Sequence, residues 1–269
     1  MEIREIKDAG TAAAFAEAFL RRGVRIPMLV TGEQLRANLT SCISSPDDIV
    51  LGVYDRELCG VFSFAVAPEE KYVEMLAALS DDASACRTVL RFMKERFSGY
   101  TFDAVFHPGH RAVKDALRDL GAQFYPVQLR LRLVEYAPFP HAHTVVAFEE
   151  KYHSQYDEIH EKDCYWTAER VLGAPEIFRV LVAVEDGEVV GYADFTYKHE
   201  ENEIYDLFVK EPHRGRGVGG ALLDGVLQRI GSGVIAAADE DNTAAIRMLH
   251  RAGFETAAGE ESATASLIF

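Results

Sequence analysis

Apolar residues recur along this chain at two spacings, and each change of spacing marks the boundary of a predicted element. Three- and four-residue spacing predicts a helix, and a short apolar run between polar turns predicts a strand. The first half is predicted to form helices at 11–22, 32–44, 84–97 and 110–119, and strands at 49–54, 59–66, 72–79, 102–106 and within 122–134. Each strand region therefore has helices beside it, as in a sheet covered by helices.

The second half is predicted to repeat this order of elements. Its helices are expected within 149–171 and at 220–230 and 242–252, and its strands at 178–184, 189–197, 203–209, 233–238 and 264–269. The segment 138–142 contains Pro138 and Pro140 and has no periodicity, so it is interpreted as a linker. We therefore predict two domains, 1–137 and 143–269, joined by residues 138–142.

Three pairs of positions support an internal duplication. Gly60 and Gly191 lie 131 positions apart, and His110 and Asn242 lie 132 apart. Gly121 lies eleven residues after His110, and Gly253 lies eleven residues after Asn242, so these two glycines are also 132 apart. A period of this length indicates two tandem domains and not a solenoid of short repeats.

Charge and cysteine content narrow the functional classes. Residues 1–140 carry 17 Lys and Arg against 19 Asp and Glu, and residues 141–269 carry 11 against 24. The acidic second half disfavours nucleic acid as a partner and favours a cationic substrate. The four cysteines have no paired-ligand spacing, and no apolar run approaches a membrane span, so we expect a soluble, cytoplasmic protein without membrane contact.

The sequence between the strand at 203–209 and the helix at 220–230 is the strongest candidate for binding chemistry. It contains Arg214, Gly215, Arg216, Gly217, Val218, Gly219 and Gly220. Glycines let the backbone approach a phosphate closely, and the start of a helix offers N–H donors and a positive dipole end. The loop lacks the GxGxxG and GKS/T patterns, which disfavours a dinucleotide fold or a nucleotide-hydrolysing P-loop.

Arg214-x-x-Gly217-x-Gly219 resembles the acyl-CoA pyrophosphate motif of the GNAT superfamily of N-acetyltransferases. Asn242-x-x-Ala245, followed by Gly253-Phe254, is similar to a later helix of that family. The resemblance covers residues 143–269 well and 1–137 only as a degenerate copy. It implies an α/β (α+β type) fold of two tandem acyl-CoA N-acyltransferase-like domains, each with a mixed, mostly antiparallel sheet.

The resemblance also implies how acetyl-CoA is held. The backbone N–H groups of 214–220 would bind the pyrophosphate, and the backbone of Leu207, Phe208 and Val209 would pair with the pantetheine arm. A bulge in this strand would open the slot, and one of its N–H groups would stabilise the oxyanion. Asn242 would contact the cofactor arm, although an N-cap alone would also explain an asparagine there.

Transfer to an amine requires a group that accepts a proton, and Glu203 and Asp206 are the two candidates. In a regular strand, residues three apart face opposite sides, so only one would reach the cleft unless a bulge intervenes. Glu203 matches the position of the base in some family members and is preferred. Many members also carry a tyrosine acid seven residues after the asparagine, where this chain has Leu249. His250 is expected to point away. Two alternatives are left: Tyr205 reaches the thiolate, or the thiolate leaves without a protein acid.

Three further expectations concern neighbouring segments. The first half carries Asp81 and Asp82, with Cys86 and Thr88 aligned to Gly217 and Gly219, so we expect no CoA there. Tyr165 and Trp166 lie where an acceptor is covered in this fold, although packing in the core would also explain two aromatic residues. His141, His143, His153 and His160 have no fixed carboxylate pattern, so no metal site is expected.

The sequence thus predicts an acetyl-CoA-dependent N-acetyltransferase for a small-molecule or peptide primary amine, with base-assisted direct transfer. The alternative is a non-catalytic acyl-CoA-binding sensor or scaffold, which the absence of a tyrosine at Leu249 favours. A structural protein that binds no CoA is a third reading, and Gly217 and Gly219 argue against it. The oligomeric state, the acceptor and the acyl-chain preference do not follow from the sequence.

Overall fold

The computed structural model describes residues 1–23, 26, 27, 29, 31–162, 164–231 and 233–269. Its strands are β1 (Glu2–Glu5), β2 (Ile49–Asp55), β3 (Glu57–Ala67), β4 (Tyr72–Leu79), β5 (Thr101–Phe106), β6 (Gln123–Phe124), β7 (Gln128–Leu133), β8 (Thr144–Ala147), β9 (Phe178–Glu185), β10 (Glu188–Thr196), β11 (Asn202–Val209), β12 (Val234–Asp239), β13 (Phe254–Thr256) and β14 (Ala263–Ile268). Its α-helices are α1 (Ala9–Leu20), α2 (Gly32–Ser44), α3 (Ala83–Arg96), α4 (Arg111–Asp119), α5 (His153–Ile159), α6 (Ala168–Gly173), α7 (Val218–Ile230) and α8 (Thr243–Arg251).

The chain forms two compact units, each built on a mixed sheet of seven strands flanked by helices. Unit 1 comprises Met1–Gln128 and Ala258–Phe269, and its strand order is β1-β2-β3-β4-β5-β14-β6. Unit 2 comprises Leu129–Ala257, with the order β13-β7-β12-β11-β10-β9-β8. The predicted fold class, an α/β (α+β type) chain of two domains that each hold a mixed sheet flanked by helices, is confirmed.

The unit bounds differ from the predicted division at 138–142. Strand β7, from the end of the first repeat, pairs with β13 in the sheet of unit 2. Strand β14, from the end of the chain, pairs with β5 and β6 in the sheet of unit 1. Each repeat thus gives its last long strand to the other sheet, and hydrogen bonding in the ladder decides to which unit a strand belongs.

The predicted linker lies inside unit 2 and packs against α7. The backbone N–H of Phe139 donates to Asp224 at 3.3 Å, and its ring lies beside Gly220, where an added Cβ would meet it at 3.0 Å. Tyr136 also donates to Asp224. We call residues 136–143 the strap, because these contacts hold the segment along the first turns of α7.

Local sequence explains several helix boundaries. Asp8 accepts hydrogen bonds from the backbone of Gly10 and Thr11 at the start of α1, and Thr31 and Gln34 form a capping box on α2. The predicted helical run at 149–171 is instead divided into three elements: a 3₁₀ turn at Glu150–Tyr152, then α5, then α6. The segment that includes His160 and Trp166 separates α5 from α6. That break brings side chains from α5 and α6 over one face of the unit 2 sheet.

Each sheet has an apolar cluster on both faces. In unit 2, α7 covers one face with Leu222, Leu223 and Val226, which pack among Ala193, Phe195 and Ile204. The other face is covered by α5 and α6, and here Tyr156 and Val171 pack with Val182 and Tyr192. No helix in the described part of the chain is both long and apolar enough to cross a membrane.

Candidate active site

The glycine loop of unit 2 connects β11 to α7 through a 3₁₀ turn at Glu211–His213. Gly215 and Gly217 have φ angles of 72° and 96°, a left-handed conformation that favours glycine. Gly217 is the N-cap of α7, and no side chain in the described residues caps this helix. The first backbone N–H groups of α7 therefore point out of the helix as donors, which is the arrangement that binds phosphate groups.

The remaining glycines of the loop serve close packing. A Cβ on Gly219 would lie 3.1 Å from the Sδ of Met248, and one on Gly220 would meet the Phe139 ring. Val218 is buried in the core. Arg214 lies beside the end of β11, where its Nε donates to the carbonyl oxygen of Val209 at 2.8 Å. These contacts hold the loop against α8 and β11.

A bulge separates β11 from its regular pairing with β10. Asp194 pairs with Asp206 and Phe195 pairs with Ile204, which leaves Tyr205 as the extra residue on β11. On the other side of β11, the parallel ladder with β12 ends at the Ile204–Ala236 pair in the described residues, although both strands continue. The two strands therefore diverge after Ile204, which gives an edge where a ligand's amide groups can pair.

The open edge of β11 exposes the backbone of alternate residues. The N–H of Lys210 donates to Val190, and a Cβ on Gly191 would lie 2.6 Å from the carbonyl oxygen of Phe208, so the backbone of Phe208 faces β10. The backbone of Leu207 and Val209 consequently faces the diverging edge. Of the three residues expected to pair with the pantetheine arm, Leu207 and Val209 are oriented for it and Phe208 is not.

The bulge brings both candidate bases to one face of the sheet. Ile204 lies in the cluster under α7, so Glu203 faces the opposite side, towards α5 and α6. Asp206 lies on that same side, since Tyr192 of the α5 and α6 cluster donates to its carboxylate. Burial raises the pKa of Glu203, and the charge of Arg130 opposes that shift. A carboxyl group with a raised pKa is suited to accept a proton near neutral pH.

A buried polar cluster lies next to Asp206. Asp194 is fully buried and accepts hydrogen bonds from Tyr156 (2.8 Å) and His160 Nε2 (2.9 Å), while its Oδ1 has no partner among the described residues. Burial lowers the pKa of His160, but hydrogen bonds to Asp194 and Glu161 and the charge of Asp194 outweigh it, so the net pKa is raised. Buried charges of this kind require such partners.

Ligand atoms of His160, Asp194 and Asp206 all lie within 4.8 Å of one another. Asp194 is not among the site residues predicted from the sequence, and the sequence pattern does not connect it with His160. The available signal was one acidic residue within the otherwise apolar run VVGYADF of β10. Tyr156 and His160 bond to Asp194, and Tyr192 donates to Asp206, so each of the three residues of the cluster has a hydrogen-bond partner within unit 2.

A row of aromatic rings leads to the bulge. Tyr165 contacts Trp166 at 5.4 Å between ring centroids, Trp166 contacts Phe178 at 4.8 Å, and Phe178 contacts Tyr205 at 5.7 Å. Tyr165 is half exposed, and Arg170 lies over its ring at 4.3 Å. The two predicted aromatic residues are therefore joined through Phe178 to the strand that carries both carboxylates.

The residues of α8 differ in role. Asn242 is its N-cap and accepts a hydrogen bond from the backbone of Ala245 at 3.1 Å. Leu249 is buried in the core below α7, and His250 bonds through Nδ1 to the carbonyl of Phe254, away from the cleft. Burial raises the pKa of Tyr205 to about 12, so its hydroxyl stays protonated through neutral pH. Tyr205 is the one residue of β11 whose side chain carries a hydroxyl group.

Unit 1 retains the bulge and blocks the site. Its extra residue is Leu76, and its parallel ladder between β4 and β5 ends at Met75, as in unit 2. The Asp82 carboxylate caps α3 by accepting from the backbone of Ser84 (2.7 Å) and Ala85 (3.2 Å). His110 Nε2 bonds the carbonyl oxygen of Ala78, on the edge that corresponds to Leu207.

These contacts correct the alignment of the two loops. Asp82, not Cys86, takes the place of Gly217, because both residues are N-caps of the equivalent helices. Cys86 lies one turn later in α3 and is fully buried, and its burial raises the pKa of the thiol to about 12. The first-half loop, residues 80–82, is therefore five residues shorter than the second-half loop, residues 210–217.

Comparison with known proteins agrees with this geometry. Residues 139–254 match the model of the acetyltransferase (GNAT) family. A search of curated proteins found no relative that matches the chain.

Solved structures share the fold over nearly the whole chain. A GCN5-related N-acetyltransferase from Sphaerobacter thermophilus has a TM-score of 0.69 at 16% identity, with 99% of this chain and 95% of that chain covered. A tandem GNAT protein from the clavulanic acid biosynthesis pathway has a TM-score of 0.57 at 14% identity, covering 99% and 98%. A putative acetyltransferase from Pyrococcus horikoshii has a TM-score of 0.58 at 13% identity, covering 100% and 89%.

The family match spans the strap, the glycine loop and α8, and the structural matches span both units. GNAT acetyltransferases use acetyl-CoA, and the uncapped α7 and the diverging edge of β11 fit its pyrophosphate and its pantetheine arm. Residues 139–254 therefore form a GNAT-family acetyltransferase domain that uses acetyl-CoA, in a chain with the fold of tandem GNAT proteins.

Proposed function

We propose that unit 2 transfers the acetyl group of acetyl-CoA to a primary amine of a small molecule or peptide. The observation that carries the proposal is the bulge at Tyr205, which places Glu203 and Asp206 on one face beside a strand edge open to a thioester. Acetyl-CoA supplies the acetyl group in activated form. Residues of this chain must do the rest: they bind the amine, remove its proton and stabilise the oxyanion.

Each step is assigned to a group near the bulge. Glu203 or Asp206 accepts a proton from the acceptor's ammonium group, which frees the nitrogen lone pair for attack on the thioester carbon. The N–H of Leu207, which faces the open edge, stabilises the oxyanion. When the carbon–sulfur bond breaks, the second proton leaves the nitrogen, and the Tyr205 hydroxyl relays it to the departing thiolate. The net products are the amide, CoA thiol and one proton.

The acceptor is a cationic amine bound next to aromatic rings. Trp166, Phe178 and Tyr205 form consecutive edge contacts that end on β11, the strand that carries Glu203 and Asp206. Rings of this kind attract an ammonium group through cation–π contact and pack against its apolar part. The excess of acidic residues in 141–269 adds a long-range attraction for a cation.

A second candidate function is acyl-CoA binding without catalysis. Leu249 favours this second function, because its side chain is packed in the core and has no proton to donate to a leaving thiolate. Both functions require the loop at Gly217, so they share cofactor binding and differ only in turnover.

Two measurements test the proposal. Thermal unfolding with acetyl-CoA at about 100 times its dissociation constant should show stabilisation of about 2.7 kcal/mol, and no stabilisation would contradict both functions. Release of free thiol in the presence of a panel of arylalkylamines, polyamines and lysine peptides should then show turnover. Stabilisation without thiol release for any amine would favour the binding module.

A further inference from the structure

We infer that His143 and Glu185 form a brace that fixes the glycine loop for pyrophosphate binding, so that both are positioning residues for acetyl-CoA. The inference rests on the proposed function only in taking acetyl-CoA as the ligand of this loop. It adds two residues that the family motif at Arg214 to Gly219 does not contain. Neither residue is in the loop or in α7.

The contacts of His143 set the position of the loop backbone. Its Nε2 bonds the carbonyl oxygen of Arg216 at 2.8 Å, and its Nδ1 bonds Glu185 Oε1 at 3.1 Å. The imidazole also lies beside Gly217, where an added Cβ would be 3.4 Å from Nε2. When the Arg216 carbonyl is held on this side, the peptide N–H of Gly217 is directed to the other side.

Glu185 joins the brace to both ends of the loop. Its second carboxylate oxygen bonds His213 Nδ1 at 3.0 Å and lies 3.7 Å from an Arg216 guanidinium nitrogen. The side chains of Glu185 and both histidines are about three-quarters buried or more. Glu185 is the last residue of β9, which pairs with β8 and β10 in the sheet of unit 2, so it ties the glycine loop to a strand bonded on both sides.

The Glu185 carboxylate makes the brace charge-assisted. His143 lies between the Glu185 carboxylate and the carbonyl oxygen of Arg216, and both of these groups are hydrogen-bond acceptors. Charge-assisted hydrogen bonds are shorter and stronger than neutral ones.

The strap gives His143 its location. Phe139, against Gly220, and His141, whose Nε2 lies 3.4 Å from Asp224, precede His143 along the first turns of α7. Three residues of the strap therefore contact the loop or α7: Phe139 lies beside Gly220, His141 beside Asp224, and His143 beside Arg216. A glycine loop loses conformational freedom when it binds a ligand, and a segment that orders it beforehand reduces that loss.

Isothermal titration of the full chain with acetyl-CoA tests the brace through His143→Ala, Glu185→Gln and the double variant. We expect each single variant to raise the dissociation constant about tenfold, the size of one lost charge-assisted hydrogen bond. The double variant should lie within about twofold of the weaker single variant, because the two residues act as one unit. His153→Ala, which removes an exposed His–Glu pair at the start of α5, is the matched control and should bind as the wild type does.

Hydrogen exchange of the unliganded protein provides a readout that needs neither binding nor turnover. Amides of 214–220 should exchange faster in His143→Ala and Glu185→Gln, and at the wild-type rate in His153→Ala. Unchanged exchange, additive losses of affinity or an equal effect of His153→Ala would overturn the brace. If the wild type fails to bind acetyl-CoA while exchange responds as expected, the proposed function fails and the brace stands as a structural feature of the loop.

Discussion

Asp194 and Asp206 lie directly opposite each other on β10 and β11, with both carboxylates on the face covered by α5. Like charges in this position repel, and neither carboxylate is fully solvated. His160, whose side chain is 1% exposed, offsets the repulsion by its hydrogen bond to Asp194. Tyr192 stacks on the His160 ring at 5.1 Å and donates to Asp206, so one network joins both acids.

Removal of the imidazole should destabilise unit 2 strongly. Burial raises the pKa of Asp194, and the hydrogen bond from His160 opposes that shift. His160→Gln removes this partner of a buried acid, and breaking a buried pair costs about 3–5 kcal/mol. Denaturant unfolding measures this loss, and the exposed His153→Gln is the control. The double variant His160→Gln/Asp194→Asn should regain part of the stability, because no unpaired buried acid is left. A loss below about 1 kcal/mol in His160→Gln would contradict the role of this pair.

The same pair predicts a direction for the pH dependence of stability. The pKa of His160 is higher in the folded protein than in the unfolded chain. Its contribution is therefore complete below the unfolded value of about 6.5 and is lost as pH rises through the raised folded value. The free energy of unfolding should show this decline in the wild type and lack it in His160→Gln.

Either carboxylate on β11 can be tested as the base by an isosteric change. Glu203→Gln should reduce kcat by about 10²–10⁴-fold with acetyl-CoA affinity unchanged, since the amide keeps the shape but accepts no proton. Because the pKa of Glu203 is raised by burial, the acidic limb of the wild-type rate profile should lie above the ordinary glutamate value. Full turnover in Glu203→Gln together with its loss in Asp206→Asn would assign the base to Asp206.

The positions of these acids show where a sequence pattern is sufficient and where it is not. The spacing of Glu203 and Asp206 predicts opposite faces, and one extra residue in β11 reverses that result. The bulge arises from the pairing of β11 with β10, and this pairing cannot be predicted from the sequence of β11 alone. The same limit applies to β7 and β14, whose alternation predicts strands but does not say which sheet they complete.

Other features could be predicted because they depend on local chemistry. The left-handed turn at Gly217, the cap at Asn242 and the outward turn of His250 follow from residue type and helix geometry. The sequence predicts a linker at 138–142, because prolines and a lack of periodicity are as typical of a linker as of an irregular segment packed on a helix. The strap's contacts with Asp224 and Arg216 lie 85 and 73 residues away in sequence, beyond any local pattern.

Tyr205 should contribute to turnover through its hydroxyl. With a pKa of about 12, it remains a proton donor at neutral pH, so Tyr205→Phe should lower kcat at least about tenfold if it protonates the departing thiolate. The affinity for acetyl-CoA should stay constant because the ring is retained. Tyr125→Phe, another exposed tyrosine, in unit 1, serves as the control. An unchanged kcat would show that the thiolate leaves without a protein acid.

The conformation of Gly217 predicts a loss of cofactor binding on substitution. Gly217→Asp forces a side chain into φ of 96° and brings a negative charge to the pyrophosphate site, so acetyl-CoA should no longer raise the melting temperature. Gly231→Asp is a matched control, since Gly231 has φ of 84° at the other end of α7 with no atom within 4 Å of an added Cβ. Equal loss of acetyl-CoA stabilisation in both variants would point to backbone strain and against a specific phosphate site.

The chain should bind one acetyl-CoA, although it contains two related units. In unit 1 the Asp82 carboxylate occupies the N–H donors that a pyrophosphate would use, and His110 bonds the Ala78 carbonyl on the edge where a pantetheine arm would pair. Isothermal titration should give a stoichiometry of one, and a second site in the wild type would contradict this reasoning. Asp82→Ala should lower stability by about 1 kcal/mol through the lost cap. It should leave the stoichiometry at one, because His110 still closes the edge.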